Sequence, residues 1–369
     1  MKKILLLISL TFGLFANDGV HTFAPSSECK KCHTEIYNEF TNSMHAKTTP
    51  SKDAIHKAVW KKHPANKKMN RYVCGKCHTP AADNLDRMMT KGAKAPVMSN
   101  NKTHQEAISC AYCHRISDIK KGKHFNTNVI NPKEKSYYGN LKDHADSPFH
   151  DIVADGNRHM QNGNTCIGCH SHKMNKHNLN VCSTNIANEL DGANCVSCHM
   201  PQVEGTVSNL KERKTHAFHG FAGSHYNSEM LTQYVDLKAR KTSFGFEVEI
   251  DNKTTHALLL HPLRLTVLKM AVERDGKKQK VKKEVFVRVI GKDGKPAMPW
   301  VANTTLKDTM IHANEKRVVQ RDFKLQKGDT LHVELGWFLV IPKAAKKLGL
   351  EKEKVATDWH SFKKQSFKF

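Results

Sequence analysis

Little in the first two-thirds of this 369-residue sequence could build an ordinary hydrophobic core. Residues 26–225 run as short helix-like pieces joined by long polar connections, with too little aliphatic side chain to bury a conventional interior. Something other than the chain must supply apolar mass there. Beyond the N-terminus no stretch is apolar enough to cross a membrane. No cysteine follows Cys198, so cysteine chemistry is confined to the earlier region. A basic arm is also missing, although the net charge is +24 from 59 Lys+Arg against 35 Asp+Glu. With 29 basic and 17 acidic residues in 226–369, half of the excess lies on each side of residue 226. With no recognised nucleic-acid motif either, nucleic acid is not an expected partner.

Cysteine is what the chain has in a pattern. Ten of its 11 cysteines fall into five C-x-x-C-H units. These are Cys29, Cys32 and His33; Cys74, Cys77 and His78; Cys110, Cys113 and His114; Cys166, Cys169 and His170; Cys195, Cys198 and His199. C-x-x-C-H is the attachment pattern of a c-type haem. Each cysteine forms a thioether to a vinyl group, and the histidine becomes an axial ligand of the iron. A zinc protein would use paired C-x-x-C units but has no need of a histidine after every pair, and a disulfide framework does not predict that histidine either. Five covalently attached haem c groups are expected. They are the missing apolar mass, and the region should be unstable without them. The remaining cysteine, Cys182, reads as a buried free thiol.

The N-terminus agrees. "MKKILLLISLTFGLFA" has Lys2 and Lys3, an apolar run from Ile4 to Phe15 and a small residue, Ala16. That is the form of a secretory signal peptide, 1–16, and the run is short for a membrane span. No cysteine stands at the expected cleavage point, so a lipid anchor is not indicated. Covalent haem attachment takes place outside the bacterial cytoplasm, so the expected location is periplasmic, or the cell surface. The propionates of five haems would add up to ten carboxylates, and the basic excess offsets them and steers an acidic redox partner or an anionic membrane surface.

Past Lys241 the grammar changes. "FGFEVEI", "KVKKEVFVRVI" and "TLHVELGWFLVI" alternate apolar and polar residues, and "RDGKK", "GKDGKP" and "QKGDT" separate them as turns. Such runs predict an antiparallel sandwich. The expected fold is α+β: a loop-rich, mostly α haem domain over 17–225, a linker over 226–240, a small β-sandwich domain over 241–345 and a helical tail over 346–369.

Nineteen of the 24 histidines lie outside the motifs. If "CKKCHTEIYNEFTNSMHAK" is helical, His33 and His45 stand about 18 Å apart along the axis. Two axial nitrogens of one iron are only about 4 Å apart. His45 must then serve a haem other than the one at His33, and the haems interlock.

The same stretch resembles the opening of the tetrahaem cytochromes of the hydroxylamine-oxidation pathway and of the wider multihaem cytochrome c family. There C-x-x-C-H is followed by an aromatic residue and a Ser/Thr-x-His-Ala element. "CVSCHMPQVEG" with "RKTHAFHGF" is similar to the last haem region of such proteins, and "NKTTHALLLHPLRLTVLKMAVERDGK" to the entrance of a β-domain often fused to them. The resemblance covers most of residues 26–345, with five motifs here in place of four. It implies four distal ligands: His45, His150 in "SPFHD", His216 in "THAFHG" and His256 in "TTHALL". His124, His172, His219 and His225 are the substitutes. Met160 and Met200 stand near motifs but read as core filling.

Haems with two axial histidines pass single electrons and leave substrate no place on the iron. An electron carrier, not an enzyme, is the leading expectation, with the fifth distal ligand drawn from spare histidines such as His124 or His225. One rival is a multihaem oxidoreductase with an open iron, acting on a small nitrogen or sulfur compound. No motif here has the Lys that replaces the proximal His in respiratory nitrite reductases. A second rival is a subunit of an extracellular cytochrome filament.

Overall fold

A computed structural model describes residues 22–141, 143–153, 160, 162–184 and 194–369. The expected signal peptide lies outside the described residues. From Ser26 to Cys113 the chain forms helices of four to nine residues. Helices this short are not stable alone, and side-chain caps mark their starts. Asp53 Oδ1 accepts the N–H groups of Ile55 (2.9 Å) and His56 (3.1 Å) at the helix Ala54–Lys62. Asn101, Ser109 and Asn194 do the same for helices beginning at Lys102, Cys110 and Cys195. The opening stretch is not one helix: after Thr34–Asn42 the backbone turns extended at Ser43 before a short 3-10 turn, His45–Lys47.

Four two-stranded ladders are threaded among these helices and loops, so the region is less purely helical than expected. They are β1 (Ile116–Lys120) with β2 (Thr127–Ile130), β3 (Ser136–Tyr138) with β4 (Asp151–Val153), β5 (His172–Met174) with β6 (Asn180–Ser183), and β7 (Gln202–Glu204) with β8 (Thr215–Ala217).

The rest of the chain is a sandwich. One sheet holds β9 (Val235–Lys241), β10 (Phe246–Asn252) and β16 (Glu315–Arg321), with β10 central. The other holds β11 (Leu265–Arg274), β12 (Lys277–Phe286), β17 (Thr330–Phe338) and β18 (His360–Lys368), in the order β12-β11-β17-β18. A small third sheet joins β13 (Arg288–Lys292) to β14 (Lys295–Pro296) and β15 (Thr304–Asp308). The two larger sheets share one buried cluster, with Leu237, Val248 and Ile250 from one meeting Leu268, Val272 and Leu335 from the other. Both Asp-Gly turns read from the sequence are two-residue hairpins. Asp275 and Gly276 have φ of 49° and 73°, Asp293 and Gly294 51° and 70°. These are the positive angles such hairpins need.

Two boundaries shift. The stretch expected as a linker, 226–240, already contains most of β9. Its "VDLKARK" points Lys238, Arg240 and Lys241 outward and so hides its apolar face. The tail over 346–369 finishes the helix Pro342–Leu348 and then adds β18, paired along β17. Its lysines conceal a strand that packs Phe362 and Phe367 against the core. Among the described residues, no helix is long and apolar enough to cross a membrane.

Candidate functional site

Each C-x-x-C-H unit closes one helical turn. The histidine N–H donates to the carbonyl of the first cysteine at 2.9 Å for His33, 3.0 Å for His78 and His114, and 2.8 Å for His170. Cys195–His199 is itself a short helix. Residues at i, i+3 and i+4 share a helix face. Both sulfurs and the imidazole therefore project to one side, as two thioethers and one axial bond to a single porphyrin require.

Four of the five motif histidines face a second imidazole. Ring centroids are 6.4 Å apart for His33 and His150, 6.3 Å for His114 and His219, 5.9 Å for His170 and His45, and 6.0 Å for His199 and His256. Metal–imidazole bonds of about 2 Å, with each ring centre roughly 1 Å behind its nitrogen, put the centroids of two axial rings about 6 Å apart. All four pairs fit an iron between them.

The backbone sets the tautomers. His33 donates Nδ1–H to the carbonyl of Val207 (2.7 Å), His114 to Tyr138 (2.7 Å) and His199 to Ala222 (2.6 Å). Across the gap, His219 donates to Ala217 (2.6 Å) and His256 to Ala257 (2.8 Å). A carbonyl can only accept, so each of these rings keeps its lone pair on Nε2, the usual arrangement for a metal-binding histidine. At six of these positions burial favours the neutral ring that metal binding needs. It pushes His45 and His219 down to about 3 and His170 to about 4, and it lowers His114, His150 and His256.

His78 is the exception. Its ring neighbour His56 has its centroid at 4.1 Å, too close to span an iron. Both rings direct Nδ1 at the Thr48 carbonyl, His56 at 2.6 Å and His78 at 3.2 Å. His56 therefore backs the motif histidine instead of opposing it. Among the described residues no second imidazole stands at the about 6 Å expected of an axial pair with His78.

Three of the four expected distal histidines, His45, His150 and His256, thus face motif rings. His45 faces the fourth motif and not its neighbour His33, although the stretch between them breaks at Ser43 and is not the single helix on which that expectation rests. His216 does not face one. In β8 its ring turns onto Glu39, with Nε2 3.1 Å from Oε1. The ring that faces His114 is His219, three residues on, whose own N–H donates to Glu39 Oε2 at 2.8 Å. "THAFHG" offers two histidines, and the shared His-Ala pair pointed to the wrong one. Of the other substitutes, His172 uses Nε2 on the carbonyls of Gly122 and Lys123 (2.9 and 3.1 Å), and His225 contacts Arg264. The carbonyl of His124 accepts from Met174, and its ring faces none of the motif histidines in the pairs above. Met160 takes a hydrogen bond from Thr165, and every facing partner found is an imidazole.

Motifs distant in sequence touch. Cys29 lies in hydrogen-bonding reach of Cys110, Cys77 of Cys169, and Cys166 of Cys195. Asn128 links the third motif to the fourth through Tyr112 Oη (3.0 Å) and Cys169 Sγ (3.8 Å). A Cβ on Gly168, inside the fourth motif, would collide with Asn128, so glycine permits that approach. The contacts run from the first motif to the third, then to the fourth, which also meets the second and fifth.

The family model described as cytochrome c554 and c-prime matches residues 28–115 and 118–200. Over those residues this chain belongs with the multihaem c-type cytochromes. The fold of the cytochrome is shared with the crystal structure of a penta-heme cytochrome c552 from Thermochromatium tepidum, with a TM-score of 0.73 and 19% identity over 94% of this chain and 99% of that one. Among curated proteins, none matches the cytochrome. Mixed α+β architecture and electron transfer in general follow from these likenesses.

Proposed function

We propose that the chain is an exported electron carrier with five covalent haems, four of them held between two imidazoles. The four facing ring pairs carry this reading. His33 would share an iron with His150, His114 with His219, His170 with His45, and His199 with His256. When bound, the haems supply one-electron chemistry. The chain's own residues attach, orient and close them. Two imidazoles on one iron leave no position for substrate, as a carrier needs. The five motifs support the count, as does the penta-heme neighbour. The N-terminal segment supports export, and the +24 charge suits acidic redox partners. Intact mass of the mature protein should show five haem additions on a chain starting near Asn17. Four or fewer after full maturation, or stoichiometric zinc, would overturn the reading.

One observation favours a second reading. Among the described residues His78 has no facing imidazole, and an iron bound there without one would be open to small ligands. That suits a multihaem oxidoreductase acting on a small nitrogen or sulfur compound. The oxidised protein would then show one high-spin haem in five by electron paramagnetic resonance, perturbed by cyanide or nitric oxide. Five low-spin haems indifferent to both would leave the carrier alone.

A further inference from the structure

Residues 226–369 contain six arginines. Five pair with carboxylates: Arg240 with Glu247, Arg274 with Asp329, Arg288 with Asp308, Arg317 with Glu315 and Arg321 with Glu284. The sixth, Arg264, sits just before β11 at the seam with the motif region. Among the described residues it joins no ion pair. Its guanidinium donates to Ser224 Oγ and to His225 Nε2 at 3.1 Å. Ser224 is fixed in turn by its carbonyl, which accepts from Trp337 Nε1 at 3.0 Å. The charge of Arg264 is felt by His261, His360 and Asp53. Asp53 already spends Oδ1 on its helix cap.

The imidazole of His261 differs from those that face motif rings. His261 Nδ1 accepts the N–H of Leu263 at 3.2 Å, so its proton lies on Nε2 and that nitrogen donates. His360 Nε2 is buried without a partner. A desolvated cation held only by neutral acceptors, with Asp53 acting on it through charge but not in an ion pair, is unfavourable by itself and calls for an anion. The cluster borders the second motif. Cys182 feels both Arg264 and Lys173, and Lys173 Nζ lies 3.8 Å from Cys77 Sγ.

We propose that Arg264, Ser224 and His261 form an anion site beside the second motif, taking a carboxylate or a small oxyanion. Two sources share that chemistry: a propionate of the haem at that motif, or a free oxyanion of substrate size. The inference rests on a haem being bound there. Haem content is therefore measured by intact mass on every sample, so loss of cofactor and loss of the site read differently.

The test uses the haem-loaded full chain. It is titrated with nitrite, sulfite and inorganic phosphate, following optical spectrum and thermal midpoint, and each haem's potential is measured. A free-oxyanion site gives saturable binding that Arg264→Met weakens about 10- to 100-fold and Arg264→Lys weakens less. A propionate site gives no such binding. Arg264→Met then lowers one haem's midpoint potential, because a cation that favoured the reduced form is gone, and Arg264→Lys largely restores it. Should Arg264→Met fail to fold, Arg264→Gln, which removes the charge and keeps a hydrogen-bond donor, is read the same way. Unchanged potentials together with no anion effect would overturn the proposal.

Discussion

The sandwich of residues 235–368 buries fifteen apolar side chains in a single cluster. The clusters built by the motif region from its own side chains hold four and three buried residues. The sandwich is closed by strand ladders and apolar contact, and nothing in its core depends on a cofactor. In the motif region the long-range ties are of another kind: cysteine pairs from different motifs, and imidazoles brought opposite one another from segments distant in sequence. An iron between each pair would join those segments directly. One half of the chain therefore contains its own interior, and the other is arranged around groups that must be added.

The largest expected effect separates these halves. A chain produced without haem attachment should fail to fold over residues 26–225 and keep its sandwich. Far-UV circular dichroism would retain strand signal, and limited proteolysis followed by mass spectrometry would leave a fragment beginning near Val235. Uniform resistance along the whole haem-free chain would break the comparison. The next effect lies within the sandwich. Leu268, fully buried in β11 between β12 and β17, should cost about 2–5 kcal/mol as Leu268→Ala. Denaturant unfolding followed by strand signal measures it. Below the transition the haem spectra should not change, since none of the facing ring pairs involves Leu268.

The two halves were unequally legible. The sandwich could be read from alternation and Asp-Gly turns because its core is made of its own residues, and the lysine-masked strands β9 and β18 reached beyond its expected bounds. The motif histidines were legible because their chemistry fixes their spacing. The facing histidines were harder, since opposition across an iron is a property of three-dimensional approach. His45 could be assigned away from His33 only on the expectation of one continuous helix, which the break at Ser43 does not meet. The choice between His216 and His219 turned on Glu39, which lies in a helix of the first segment, takes the ring of one and the backbone N–H of the other, and leaves no trace near "THAFHG". His56 and Arg264 went unnoticed because their roles depend on neighbours, Thr48 and Ser224, drawn from other elements.

His256 is where the comparison can be sharpened, because it belongs to the sandwich and faces a motif ring. Its loop is tied down by Asn252, whose Nδ2 donates to the carbonyls of His256 (3.1 Å) and His312 (2.6 Å), and by Thr254 Oγ1 at 2.6 Å from the His256 carbonyl. His256→Ala should turn one haem from low to high spin in the electron paramagnetic resonance spectrum while leaving the sandwich's unfolding midpoint within experimental error. An unchanged spectrum would make the sandwich a passive neighbour. Loss of both signals together would mean the halves fold as one unit.

The smallest expected effect tests whether the sandwich responds to acid through its own charges. Asp329, just before β17, is buried, and its oxygens accept from Arg274 Nε (2.8 Å) and Nη2 (2.7 Å), at the end of β11. The Gln326 N–H adds a third bond at 2.8 Å. Hydrogen bonding to Arg274 is the main cause that holds the Asp329 carboxyl down at about 2. In an unfolded chain it would titrate near the usual value of about 3.9. A depressed carboxyl stabilises the fold above its unfolded value, and that contribution is lost as pH falls through the folded one. The thermal midpoint of the sandwich should therefore drop between about pH 4 and pH 2, followed by strand signal so that changes around the motif rings do not enter. Asp329→Asn should flatten that stretch of the profile and lower the midpoint modestly at neutral pH. The change should stay below that of Leu268→Ala, because the Arg274 side chain is 26% exposed and solvent screens part of the attraction. An Asp329→Asn profile as steep as the parent's would show that other carboxylates carry the acid response.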